Sequence, residues 1–373
     1  MNARAIFDSD PLFLREGQEG FWRLMRSGRP QPSGLNLVKW SDGHARICGA
    51  CRDHRRGGAP TLEELRRDPR ACYAPGCYGA RLLAHLWWGY MPALNGRPVQ
   101  RPPSLRKGTQ RAKDVALCSA WAAKQAQEPG LFGPGDPRYV SPLLAAVRPM
   151  DQYRAASTGV DPKVRVCWDG RQINKVVIPW PCRYEDFPAI LRQISPDDWC
   201  ACIDLRSFYL QLPVHDAIQP YLSFKDPLSG EIRKYLKVPF GLTTAPTYAS
   251  GVSAEASLIV GSHTSCAQHV YLDDTLQRTP GAAGSSRVGL DQAESDLDIS
   301  IAVLADLGLP VSTEKTVRPS KRVKSLGYML DTQKRTVGVS EDHRAFTAAY
   351  IDGMLSGERY PWRREFHSLC GLI

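Results

Sequence analysis

Two carboxylates side by side, Asp273 and Asp274, separate two short runs of strand-like composition, His269–Leu272 and Thr275–Gln277. This pattern predicts a tight hairpin with both acids at its tip. Neighbouring like charges repel, so the pair costs free energy unless a cation or the turn geometry compensates. Taken alone, it reads as an ordinary solvated turn. A third acid, carried by a different strand, gives it more weight.

That acid is Asp204. It ends the apolar run Trp199-Cys-Ala-Cys-Ile203, whose unbroken hydrophobicity implies a strand buried on both faces. A carboxylate at the mouth of a buried strand is a common way to place a catalytic or metal-binding group. A sheet built from these strands would let Asp204 face Asp273 across a gap. Two Mg²⁺ ions about 3.5–4 Å apart need such a gap for in-line phosphoryl transfer. Hard oxygen ligands, few in number, leave positions for substrate phosphates.

With 373 residues, the chain has room for two or three domains, and 43% hydrophobic with 23% charged residues fits a soluble globular protein. No window approaches 18 uninterrupted apolar residues, so no membrane span is expected. The first fifteen residues mix Arg4 with Asp8 and Asp10 and hold no apolar core of a signal peptide. Eleven cysteines, an odd number without a framework, argue for reduced thiols in the cytoplasm or nucleus.

The net charge of +10 belongs wholly to the N-terminal part. Residues 1–140 carry 22 Lys and Arg against 12 Asp and Glu, whereas residues 141–373 carry 26 of each. A basic block of this kind favours a polyanion partner, because neutralising phosphates releases counterions; a solvated basic arm is the plainer alternative. The same region holds Cys48-Gly-Ala-Cys51, then Cys72 and Cys77, with His44, His54 and His85 nearby. The four cysteines are a candidate zinc set, weighed against free structural thiols.

Helices are expected over Tyr78–Tyr90, Gln110–Gln127, Tyr184–Ile194, Thr247–Val260 and Asp291–Leu307, the fourth with Thr244 as its cap. Strands are expected around Tyr139–Val147, Lys163–Asp169, Tyr221–Phe224, Arg233–Val238, Val311–Val317 and Val323–Leu330. Pro92–Lys107 and Gly130–Pro137 read as linkers, and Pro149–Pro162 as a hairpin loop.

Six segments then stand in the order of a known family. Lys163-Val-Arg165-Val-Cys-Trp-Asp169-Gly-Arg-Gln-Ile-Asn174 resembles the fingers motif of reverse transcriptases. Asp204-Leu-Arg-Ser-Phe-Tyr209-Leu-Gln-Leu-Pro213 resembles the first palm motif. Pro239-Phe240-Gly241-Leu-Thr-Thr-Ala-Pro246 resembles the second, and Tyr271-Leu-Asp273-Asp274 the third. Leu307–Thr316, containing Lys315, resembles the fourth, and Ser325-Leu326-Gly327-Tyr328 the primer grip. The texture is nearest to retrotransposon enzymes of the gypsy or DIRS kind, and it covers about residues 139–330.

The resemblance implies an α+β right-hand polymerase with a ferredoxin-like antiparallel palm, inserted fingers and an incomplete thumb. Residues 1–138 form a basic extension of unknown fold, 139–330 the fingers and palm, and 331–373 the start of a thumb that is cut short. The implied activity is RNA-directed DNA polymerisation with two Mg²⁺ ions, Mn²⁺ being the alternative metal. Asp204 and Asp273 would bind both metals, Asp274 would support them, and Leu205 would offer its carbonyl. Lys163 and Arg165 would hold the triphosphate, and Asp169 would face the template. Tyr209 would exclude a ribose 2′-OH, and Phe240 and Gly241 would lie under the nascent pair. Lys315 would protonate the leaving pyrophosphate, and Leu326, Gly327 and Tyr328 would position the primer end. Implied partners are an RNA or DNA template, a primer and deoxynucleoside triphosphates. The competing readings are an inactive nucleic-acid-binding relative and an RNA-templated RNA polymerase, against which the bulky Tyr209 speaks.

Overall fold

The structure, a computed structural model, describes residues 2–356 apart from 32, 56–57, 97–111, 126–129, 183, 186 and 282–285. Much of the expected linker at 92–107 and the chain end beyond 356 lie outside the described residues.

The apolar run Trp199–Asp204 (β4) is the axis of a four-stranded antiparallel sheet. It lies between β8 (Asp274–Thr279) and β9 (Val317–Ser320), with β7 (Ala267–Tyr271) outside β8. In chain order the unit runs β4, α10 (Ala245–Gly261), β7, β8, α11 (Ser286–Asp306), β9. This is the split βαβ arrangement of a ferredoxin-like palm. Both helices pack on the sheet and on each other. Pro246 in the first turn of α10 presets its start. Thr244 makes no capping bond; it accepts a hydrogen bond from the buried Tyr90 hydroxyl at 2.6 Å.

Between β4 and α10 the chain adds β5 (Ser223–Lys225) and β6 (Ile232–Tyr235), which join the earlier β1 (Phe132–Pro134) in a three-stranded sheet of order β1-β6-β5. The pair β2 (Leu143–Val147) and β3 (Val164–Trp168) precedes the palm. Their connection is a helix, α8 (Pro149–Thr158), where a hairpin loop was expected. Pro149 sits in the first turn, Asp151 follows it, and Gly159 closes the helix at φ 70. These are complete start and stop signals around a polar segment too short to show a clear apolar stripe. The expected strand Val311–Val317 is displaced. Val311 only bridges Leu205, a turn follows, and the strand begins at Val317.

A hairpin sheet, β10 (Arg322–Ser325), β11 (Tyr328–Asp331) and β12 (Thr336–Val339), lies beside α9 (Phe187–Leu191). Ile190, Cys200, Leu276, Val323 and Leu330 form the small core that joins it to the palm. The following helix α12 (Glu341–Leu355) returns to α8 through Phe346, Tyr350 and Tyr153.

The N-terminal region is helical: α1 (Ala3–Asp8), α2 (Pro11–Arg26), α3 (Leu37–Ile47), α4 (Gly49–His54), α5 (Leu62–Arg67), α6 (Tyr78–Trp88) and α7 (Ala112–Gln125). It shares one hydrophobic core with the palm, running from Ala3 to Leu309. Helices α1 and α3 lie on α10, where Gly251 faces Phe7 and Gly43 faces Ile259. Helix α10 is therefore covered on both sides, which explains why its buried residues run almost uninterrupted from Ala245 to Ala256.

Candidate active site

The register of β4 against β8 pairs Asp204 with Asp274, and the β7–β8 hairpin pairs Tyr271 with Asp274. Leu272 and Asp273 are left as the turn. Leu272 adopts φ 58, a left-handed conformation that costs a non-glycine residue about 1–3 kcal/mol and recurs at functional sites. The Leu205 N–H donates to the Asp273 carbonyl at 3.0 Å, which ties the turn to the end of β4. The bridge to Val311 runs through Ser312 N–H to Asp204 O and Arg206 N–H to Pro310 O. The bridge itself does not use the Leu205 carbonyl.

Electrostatic strain is concentrated here. Burial pushes the Asp273 carboxyl up, and the Asp204 charge adds to the effect. Partial desolvation against the strands, then the charges of Asp273 and Asp204, bring Asp274 to about 6. Lys315, on the turn before β9, answers with its ammonium 2.5 Å from Asp204 Oδ1. Asp204, Asp274, Lys315, Tyr271, Lys324 and Leu326 share one cavity of about 180 Å³. Two of the palm acids, Asp204 and Asp274, thus line the same cleft as the β10–β11 turn, and Asp273 stands outside its lining. Leu326 (φ 50) and Gly327 (φ 88) form that turn, and the exposed Tyr328 ring stacks on Phe187 at 4.4 Å.

The remaining sequence candidates fall into two groups. Lys163, just ahead of β3, is held below the usual lysine range by desolvation and by the charges of Lys315, Arg165 and Arg148. Arg165 Nη1 reaches Asp151 Oδ2 at 2.9 Å, and Arg148 grips the same carboxylate at 2.8 Å. These hydrogen bonds, with burial opposing them, hold Asp151 down at about 2. In the second group, Tyr209 is buried after a left-handed Ser207 and packs on the half-exposed Phe240 with ring centroids 4.8 Å apart. Gly241 has φ 116, and a Cβ there would fall 1.9 Å from the Trp168 carbonyl. The Asp169 carboxylate is clamped by Arg171 at 2.7 Å.

Two residues without a role in the sequence reading organise these groups. Asn174 donates to Gly241 O at 2.8 Å and accepts from Thr243 N–H at 3.0 Å, locking the fingers motif onto the second palm motif. Asp151 locks Arg165. Asn174 closed the fingers motif and could have been singled out; Asp151 was hidden in a segment read as loop.

The cysteine set also changes. His44, Cys48, Cys51 and Cys77 bring their ligand atoms within 4.8 Å of one another. Cys72 lies outside this group, on the short 3₁₀ turn Pro69–Cys72. Among the described residues it is the only such gathering of three or more His, Cys, Asp or Glu, and the palm acids do not close into one.

A four-stranded antiparallel palm with acids at the β4 end and the β7–β8 turn, beside fingers bearing a basic strand, defines a right-hand polymerase fold. Residues 159–330 match the family described as "Reverse transcriptase (RNA-dependent DNA polymerase)". Two Drosophila melanogaster relatives are similar: the retrovirus-related Pol polyproteins from transposon opus (24% identity over 201 residues) and transposon gypsy (23% over 207). The matches cover 54% and 56% of this chain but 18% of each polyprotein. Among solved structures, the foamy viral protease-reverse transcriptase with double-stranded DNA is similar at TM-score 0.53 and 17% identity, covering 87% of this chain and 51% of that one. The same viral protein with an RNA/DNA hybrid gives TM-score 0.53 at 16% identity, over 87% and 39%. Among the described residues no helix is long and apolar enough to cross a membrane.

Proposed function

We propose that the chain catalyses RNA-directed DNA polymerisation, adding deoxynucleotides to a primer in a retroelement. The observation that carries this reading is the juxtaposition of Asp204, the Leu272–Asp273 turn and Asp274 at one end of the palm. The similar foamy viral structures contain double-stranded DNA or an RNA/DNA hybrid, which supports a template and primer as partners.

The donor set suits a hard divalent cation. It offers the carboxylates of Asp204, Asp273 and Asp274, the last two raised by desolvation and like charge, while the Lys315 ammonium shows that Asp204 already draws a cation. Asp204 and Asp273 would hold two Mg²⁺ ions, with Asp274 and the Leu205 carbonyl in support; Mn²⁺ suits the same oxygens. When bound, the metals would neutralise charge on the attacking and leaving oxygens. Arg165 and Lys163 would grip the triphosphate, the former as a planar fork fixed by Asp151. Lys315 would give a proton to the leaving pyrophosphate. Tyr209, braced on Phe240, would bar a 2′-OH. Phe240 and Gly241 would underlie the nascent pair, Asp169 would face the template, and Leu326, Gly327 and Tyr328 would seat the primer end.

Extension of a DNA primer on a homopolymer RNA template, with Mg²⁺ and deoxynucleotides, tests the proposal. Asp273→Asn is expected to abolish extension, by about 10³-fold or more, while leaving template-primer binding nearly unchanged. Undiminished extension by that variant, or none by the native chain, sinks the reading. Tyr209→Ala is expected to admit ribonucleotides. Their efficient use by the native chain would instead favour the RNA polymerase.

A further inference from the structure

Helix α3 ends where α4 begins, and Cys48 occupies that junction. His44 lies one turn earlier on α3, Cys51 one turn later on α4, and Cys77 precedes the first turn of α6. The local spacing is His-x₃-Cys-x₂-Cys, with the fourth group returning from a distant helix. His44 and Cys51 are fully buried and Cys48 and Cys77 half-buried. We propose that His44, Cys48, Cys51 and Cys77 bind one structural Zn²⁺ ion.

Four ligand atoms within 4.8 Å of one another are close to the ~3.8 Å edges of a tetrahedron built on ~2.3 Å zinc–sulfur bonds. His44 Nε2 already lies 3.1 Å from Cys77 Sγ. The donor set, three sulfurs and one imidazole, is borderline-soft and closed, which selects zinc over the hard cations proposed for the palm.

The surroundings are those of a held ligand. His44 Nδ1–H donates to Glu255 Oε1 at 2.5 Å, and Glu255, on α10, is fully buried. Tyr78 donates its hydroxyl to the other Glu255 oxygen at 2.8 Å. This carboxylate–histidine pairing fixes the tautomer that leaves Nε2 as a lone-pair donor facing the sulfurs. Ala74 N–H points to Cys51 Sγ at 3.4 Å. The α6 backbone presses on the imidazole so closely that a Cβ at Gly79 would fall 2.5 Å from His44 Nε2.

Zinc bound here joins α3, α4 and α6 and, through Glu255, fastens them to the helix that leads into β7 and the acidic turn. Binding releases the thiol protons, so the site fills more tightly as pH rises.

The test is elemental analysis of the purified full chain, supported by Co²⁺ substitution. About one zinc per chain is expected, with a thiolate-to-cobalt charge-transfer band in the substituted protein. Cys51→Ser and Cys77→Ser should lose the metal, and Cys72→Ser should keep it. Glu255→Gln should weaken zinc about 10–100-fold against a chromogenic chelator. Should the serine variants fail to fold, organomercurial titration of the native chain should release the zinc as its ligand thiols are consumed. The proposal is overturned by a chain that carries no zinc and gives no cobalt band. Zinc retained in Cys51→Ser, lost in Cys72→Ser, or lost instead with Asp204→Asn would overturn it equally, as would a disulfide within the set.

Discussion

Asp151 is where a single buried charge decides whether an arginine is free or aimed. Its side chain is 5% exposed and serves both Arg148 and Arg165. Its carboxyl titrates near 2 instead of the ordinary value of 3.8. A depressed carboxylate stabilises the fold above its unfolded pKa and loses that contribution as pH falls through the folded one. Asp151→Asn should therefore cost about 2 kcal/mol at pH 7, with the deficit shrinking to about half near pH 3. Urea unfolding of the two proteins from pH 7 to pH 3 measures this, and a deficit independent of pH would deny the ion pair its role. At this scale legibility followed chain distance. Asp204, Asp273, Tyr209 and Phe240 each sit in a short motif, and the fold gathers them into two neighbouring groups. His44 depends on Glu255, 211 residues away, so its exchange for Cys72 in the sulfur cluster was invisible to spacing.

Elements were most legible where hydrophobicity was unbroken. Strand β4 spans the expected Trp199–Asp204 because a continuous apolar run admits one buried placement. Helix α8 was missed because its capping signals flank a polar, mostly unburied segment, and β9 was displaced because the turn carrying Lys315 intervenes. A subtler element-level device is Gly89, which ends α6 at φ 94. Just beyond it, Tyr90 N–H donates to Pro213 O at 2.8 Å, and His215 N–H donates to Tyr90 O at 3.1 Å. A Cβ at Gly89 would fall 2.3 Å from the Val214 backbone carbon. Backbone cannot yield as a side-chain tip can, and the positive φ adds strain. Gly89→Ala should cost about 2–4 kcal/mol and detach α6 from the strand-like segment after the first palm motif. A thermal melt unchanged within a degree or two would contradict that junction.

Across the whole molecule, the charge asymmetry marks residues 1–138 as a basic extension of unknown fold suited to a polyanion, while the burial pattern describes helices that share the palm's core. Composition reports charge but not partnership. Arg81, for example, is 5% exposed, bonded to Asp8 and stacked 4.2 Å over Phe13. Removing residues 1–138 would uncover the α10 face that now meets Ile6, Phe7 and the α3 backbone at Gly43, and would strand Glu255 without His44 and Tyr78. Each large apolar side chain lost from such a face forfeits about 1.5–3 kcal/mol, and an unpaired buried carboxylate costs several more. Against a typical domain stability of about 5–15 kcal/mol, this loss is decisive. A fragment of residues 139–373 should therefore associate or aggregate and show no cooperative thermal transition. Size-exclusion chromatography with circular-dichroism melts gives the answer. A monomeric fragment that melts cooperatively, at a temperature near that of the full chain, would make the N-terminal helices an independent body resting on a self-sufficient palm.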